Sequence, residues 1–136
     1  KNLDLSLFFQ TALGFDIFNI HDFYYGTKNF QGNVMDKAYS KNKIISENPI
    51  VCDYFLEPGD YLKLSSVNLG YTLNLKSKYI DAIRLSLTGS NLFTWTQFSG
   101  VDPSTYQVNG LNPGATGSRS YYPSTRQFMI GMQVDF

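Results

Sequence analysis

The feature that most narrows the folds open to this chain is the alternation in its last segment. Phe128, Ile130, Met132, Val134 and Phe136 fall on one face of an extended strand, and Gln127, Met129, Gly131, Gln133 and Asp135 fall on the other. The run occupies about ten residues, against about five or six for a strand of an ordinary soluble sheet. About nine to eleven tilted residues cross a bilayer. A soluble edge strand has the same period, but an apolar edge of this length invites aggregation unless something buries it.

Three other segments repeat the pattern. Leu3, Leu5, Leu7 and Phe9 alternate with Asn2, Asp4, Ser6, Phe8 and Gln10, and only Phe8 breaks the polar face. Leu62 and Leu64 share one phase, whereas Val67, Leu69, Tyr71 and Leu73 share the other. One extra residue at Ser65-Ser66, as in a β-bulge, returns all six to one face. Ile83, Leu85 and Leu87 oppose Arg84, Ser86 and Thr88, and the run continues through Gly89-Ser90-Asn91 to Leu92-Phe93. Strands are therefore expected at about 2–13, 61–74, 82–93 and 126–136.

The connections between them, about 14–60, 75–81 and 94–125, run long, short, long. Transmembrane β-barrels have short periplasmic turns and longer extracellular loops. With Phe136 on the periplasmic side, both long connections lie outside the cell and 75–81 is the periplasmic turn. Phe93, Trp95 and Phe98 then fall near the outer interface and Tyr79 near the inner one, where aromatic girdles belong.

Composition supports a membrane setting. Charged residues make up only 16% of the chain, where a soluble domain carries roughly a quarter. Aromatic residues reach the same 16%. Eleven basic side chains balance eleven acidic ones, so no long-range field draws in nucleic acid. Because no apolar run approaches the roughly eighteen residues of a membrane helix, any crossing is made by strands. Four strands cannot close a barrel, since about eight is the bacterial minimum and an open edge in lipid leaves backbone groups unpaired. The remaining strands are expected from elsewhere. The start at Lys1, with neither initiator Met nor an apolar leader, reads as a cut.

The wording of the segments carries a resemblance as well as a period. Asp60-Tyr61-Leu62-Lys63-Leu64-Ser65-Ser66-Val67-Asn68-Leu69-Gly70-Tyr71-Thr72-Leu73 resembles the "YLRLKNVTLGYTL" strand of SusC/RagA-type TonB-dependent transporters. Ile83 to Thr94 is similar to their "LRVYVSGQNLFT", Phe98 to Pro103 to "YSGYDPE", and Tyr122 to Phe128 to "YPxPRTF". Leu3 to Asn19 is similar to "DLSFFFQGSYGNDIFN", and about His21 to Val51 has no counterpart. An aromatic residue closing the last strand in phase with its apolar face also looks like the C-terminus of an outer-membrane barrel.

The resemblance implies an all-β fold. The chain would supply the C-terminal four antiparallel strands of a barrel of about 22 strands, closed by a plug and embedded in the lipid of the bacterial outer membrane. It also implies uptake of oligosaccharides or peptides, energy delivered through TonB, and a SusD-like surface lipoprotein as a lid. The plug and the TonB-contacting segment have no residues here.

Catalysis is not expected. No GxSxG, HExxH, CxxC or GxxxxGK[ST] pattern occurs, and a lone His21 and a lone Cys52 cannot assemble most nucleophile-and-base pairs. Asp53 and Asp102 are conceivable paired carboxylates, but Asp102 before Pro103 is equally good turn chemistry. His21 with Asp16 and Asp22 lacks the spacing of a metal loop, and neither metal nor cofactor is expected. Tyr24, Tyr25, Tyr106, Tyr121 and Tyr122 are candidates for contact with substrate or lid, although loop packing explains them as well. Arg84, Ser86 and Thr88 are expected to face the lumen and the plug. Gly-rich 109–117 opens no helix and reads as an extracellular turn cluster. The rival fold is a soluble carbohydrate-binding β-sandwich with Trp95 and the tyrosines as its platform.

Overall fold

Alternating side chains favour extended backbone, and each of the four alternating segments forms a long strand. The computed structural model describes residues 2–29, 32–45, 47, 50–75, 77, 79–105 and 122–136. Its strands are β1 (Leu3–Ala12), β2 (Asp16–Phe18), β3 (Leu56–Pro58), β4 (Tyr61–Asn74), β5 (Ala82–Thr96) and β6 (Gln127–Asp135), and its helix is α1 (Ile20–Tyr25). The chain divides into two compact units. One comprises the residues up to Thr11, Leu62–Trp95 and Ser124–Phe136; the other comprises Ala12–Tyr61 and Thr96–Pro123.

The first unit is a sheet in the order β1-β4-β5-β6. Strands β5 and β6 pair antiparallel with Ile83 opposite Val134, Leu85 opposite Met132 and Leu87 opposite Ile130, so the apolar phases of the two strands coincide. The polar phase aligns as well, with Arg84 opposite Gln133 and Ser86 opposite Gly131. Seven residues join β4 to β5, too few for a parallel crossover, and Leu75 donates its N–H to the Asp81 carbonyl at 3.1 Å to close the hairpin.

The apolar face of this sheet is exposed. Leu3, Leu5, Leu7 and Phe9 of β1, Leu69, Tyr71 and Leu73 of β4, Leu85, Leu87, Phe93 and Trp95 of β5, and Phe128, Ile130 and Met132 of β6 all stand out from the protein. Ile130, at the middle of its strand, is 85% exposed. A continuous apolar surface of this kind marks a partner or a membrane. No helix is long and apolar enough to cross a membrane among the described residues.

In β4 the exposed phase changes as the chain runs. Leu62 is exposed beside buried Lys63, whereas Leu69, Tyr71 and Leu73 are exposed around buried Gly70, with residues 64–68 half-buried between them. The expected bulge at Ser65-Ser66 accounts for a slip of this kind. On the opposite face Arg84 reaches from β5 across β4 to Asp4 of β1, Nη2 to Oδ2 at 2.8 Å. Gly70 leaves the room: a Cβ there would stand 2.6 Å from both the Arg84 guanidinium and the Asp4 carboxylate. Asn91 takes a left-handed φ of 54° within β5, a conformation asparagine tolerates, and its Nδ2 donates to the Thr125 carbonyl at 3.2 Å.

The second unit gives structure to what reads as loop in the sequence. Strands β2 and β3 pair antiparallel, with Asp16 opposite Pro58, Ile17 opposite Glu57 and Phe18 opposite Leu56. Three-residue strands and a six-residue helix are too short to leave a readable period. Packing holds them instead. Phe55 is 1% exposed, with Phe23 at 5.2 Å and Phe18 at 6.0 Å between ring centroids, and Ile17 is buried against Phe98 and Phe15.

Candidate functional site

The second unit contains a cleft of about 510 Å3. Its walls come from α1 (His21, Tyr25), from the cap residue Asn19, from Asn33, Val34, Met35 and Lys37, and from Ser99, Gly100 and Val101. The lining mixes apolar side chains with hydrogen-bonding ones and suits noncovalent binding of a ligand having both characters.

A polar network builds this cleft. Asn19 caps α1 by accepting from the Asp22 N–H at 3.0 Å. Gly26 closes the helix, donating its N–H to the Asp22 carbonyl at 2.9 Å. A side chain at Gly26 would press on the Asp22 carbonyl and carboxylate and on the Asn42 amide. The buried Asp22 carboxylate accepts from Asn42 Nδ2 at 2.7 Å and from Lys37 Nζ at 3.3 Å. Asn42 also donates to the Gly26 carbonyl at 3.0 Å and accepts from the Tyr54 hydroxyl at 3.0 Å.

Ser99 joins the two long connections. Its N–H and hydroxyl donate to the two oxygens of Glu57 at 2.7 and 2.8 Å, and its Oγ accepts from Lys37 Nζ at 3.0 Å and Asn19 Nδ2 at 3.3 Å. One donated and two accepted bonds fill the capacity of a hydroxyl. Burial raises the Glu57 pKa. The Ser99 N–H and hydroxyl, the Asn19 amide and the Lys37 charge outweigh that effect and hold it below its ordinary value of 4.5.

A depressed carboxylate contributes stability that is present above its unfolded pKa and is lost as pH falls through the folded one. The second unit is therefore expected to loosen on acidification below about pH 4.5. Glu57→Gln should flatten that dependence. Amide exchange of residues 16–58, followed from pH 7 down to pH 3, checks it; a wild-type profile identical to that of the variant would remove Glu57 from the account.

The tyrosines separate. Tyr25 lines the cleft with His21, their ring centroids 6.0 Å apart and tilted by 31°, and His21 Nδ1 is buried without a hydrogen-bond partner among the described residues. Tyr24 packs edge-on against Phe23 at 5.1 Å. Tyr122 is exposed, and Tyr106 and Tyr121, like the Gly-rich 109–117, lie outside the described residues.

The girdle candidates separate as well. Phe93 and Trp95 are exposed and stack at 5.6 Å, and Tyr79 is exposed. Phe98, expected near the outer interface, follows a bend at Gln97, is 6% exposed and packs on Ile17 and Phe15. On β6 Phe128, Ile130, Met132 and Phe136 are exposed and Val134 is half-buried. Asp102 makes turn chemistry, its Oδ1 accepting from the Ser104 N–H at 2.9 Å and the Ser104 hydroxyl at 2.7 Å.

Sequence reasoning missed Asn19, Lys37, Asn42, Glu57 and Ser99. Asn19 stands three residues before Asp22 in a capping pattern and was the one legible member. The others meet only through folding, across separations of up to 80 residues.

An antiparallel sheet with strands of nine to fifteen residues and one exposed apolar face is consistent with part of the wall of a transmembrane β-barrel. No family model matches the chain. Over its whole length it is 28% identical to TonB-dependent receptor P26 and 26% identical to TonB-dependent receptor P3, both of Formosa agariphila. It spans only 16% and 15% of those proteins. Its full length also superposes on a RagAB peptide importer in the closed-closed state, with a TM-score of 0.76 and 26% identity, covering 16% of that chain. A structure of the RagAB peptide transporter matches in fold, with the same TM-score and 24% identity. Over its whole length the chain is thus similar to part of TonB-dependent receptors and of the RagAB transporters.

Proposed function

We propose that the protein to which this chain belongs imports peptides through the bacterial outer membrane, and that the second unit forms part of the outer mouth. The full-length superposition on the RagAB peptide importer carries this reading. The cleft supports it, since Val34, Met35 and Val101 offer apolar contacts beside the hydrogen-bonding groups of Asn19 and Ser99, as a peptide requires. In this reading Phe136 lies at the periplasmic side and 75–81 is a periplasmic turn. The other strands, of about 22 in all, and a plug complete the barrel. A SusD-like lipoprotein covers the mouth and TonB supplies the energy through parts outside this chain.

The test uses whole cells. Deleting the gene should abolish TonB-dependent uptake of a labelled peptide mixture and leave oligosaccharide uptake unchanged. Protease added to intact cells should cut within 97–126 and spare 75–81. Loss of oligosaccharide uptake instead would replace the substrate class, and cleavage within 75–81 alone would invert the topology. Purified protein that stays monodisperse without detergent would return the soluble sandwich.

A further inference from the structure

Arg126 precedes β6 in the register of its apolar face. Positions 128, 130, 132, 134 and 136 carry that face, and 126 is the next position of the same phase. A guanidinium in the lipid-facing register is costly at the bilayer midplane and nearly free at an interface, so the position fits only an end of the membrane-spanning sheet. Its surroundings fit the same place. The Arg126 guanidinium carbon lies 5.5 Å from the centroid of the Phe93 ring, and Phe93 in turn stacks on Trp95 at 5.6 Å with 27° between the planes. Cation, phenyl and indole form one exposed cluster on the outward face.

Arg126 makes no hydrogen bond or ion pair among the described residues. The carboxylates of its unit are occupied or distant. Asp4 is taken by Arg84, and Asp81 and Asp135 stand at the opposite end of the β5–β6 pair, where Ala82 faces Asp135 while Ser90 faces Gln127 at this end. With its flat side on Phe93, the guanidinium keeps its N–H edge free for two oxygens of one anion, the bidentate geometry in which arginine recognises phosphate. The Asn91 amide, bonded to the Thr125 carbonyl, fixes the backbone beside it.

We infer that Arg126, Phe93 and Trp95 form a binding site for a phosphorylated lipid headgroup of the outer leaflet. The guanidinium edge takes the phosphate, and the rings take the interfacial part of the lipid. The apolar surface continuing along Leu85, Leu87, Phe128 and Ile130 is covered by acyl chains, which selects a lipid over a soluble phosphate. The inference rests on the reading that the end of the sheet carrying the long connections faces outward and that its apolar face meets lipid.

The test uses the full transporter in detergent and native mass spectrometry. The probes are a bisphosphorylated glucosamine-disaccharide lipid and the same lipid with its phosphates removed. Wild type should retain the phosphorylated form about tenfold more than the other, the effect of one charge-assisted hydrogen-bonded contact. Arg126→Gln should lose that preference and Arg84→Gln, on the opposite face, should keep it. Equal retention of the two lipids by wild type, an unchanged preference in Arg126→Gln, or displacement of the lipid by millimolar inorganic phosphate would each overturn the site. The underlying reading fails separately: a transporter that needs no detergent is not a barrel, whereas a detergent-dependent one without phosphate preference lacks only this lipid site.

Discussion

In the proposed barrel, Leu87→Arg is expected to destabilise the assembled protein by about 2–4 kcal/mol, the cost of a cation on the lipid face near the bilayer midplane. Leu87 is exposed on the apolar face and lies opposite Ile130, at the middle of both strands. Thr88→Arg, one residue away, should cost far less, because its side chain projects from the other face, where Asp4 and Arg84 already place polar groups. Urea titration of the transporter refolded into lipid vesicles measures both. The comparison is internal, since the two variants add the same side chain to adjacent residues. A neutral Leu87→Arg together with a damaging Thr88→Arg would mean that the sheet faces the opposite way.

The second large effect concerns the unit that carries the cleft. Phe55→Ala is expected to remove about 3–5 kcal/mol of local stability, as aromatic truncations in packed cores do. Phe55 is 1% exposed, its ring lies within 5.2–6.0 Å of Phe23, Tyr54 and Phe18, and its carbonyl accepts the Asn19 N–H at 2.8 Å. A cavity there leaves α1, and with it Tyr25 and His21 of the cleft, without support. Hydrogen exchange on the full transporter should show the amides of Asn19 and of the Ile20–Tyr25 helix losing protection, while those of β5 and β6 keep theirs. Under the proposed function, peptide uptake should fall with the protection. Unchanged exchange at Asn19 would show that these rings are not what holds the cleft together.

Much of this protein is written in local sequence. A period of two over ten residues fixes which side chains share a face, because successive side chains of a strand point to opposite sides. The apolar set Leu85, Leu87, Ile130 and Met132 is therefore legible before any pairing is known, and the observed register only brings those sets opposite one another. The slip between Leu64 and Val67 is legible for the same reason, since one residue moves every later side chain to the other face. Low charge and abundant aromatics add the membrane setting to that pattern.

The cleft is different in kind. Asn19, Lys37, Glu57 and Ser99 are brought within hydrogen-bond distance by a network that closes over as many as 80 residues, and none of them belongs to an element long enough to carry a period. Phe98 shows the same limit from the other side. By position it belongs to the exposed aromatics beside Trp95, yet a turn of the backbone sends it into the small core with Ile17. Alternation is a short-range property of the backbone and survives in the sequence as a repeat. The meeting of distant polar groups depends on loop closure and packing, which leave no repeat to read, so the sequence by itself determined the sheet and its two faces, and only the tertiary structure decided which loop residues form the site.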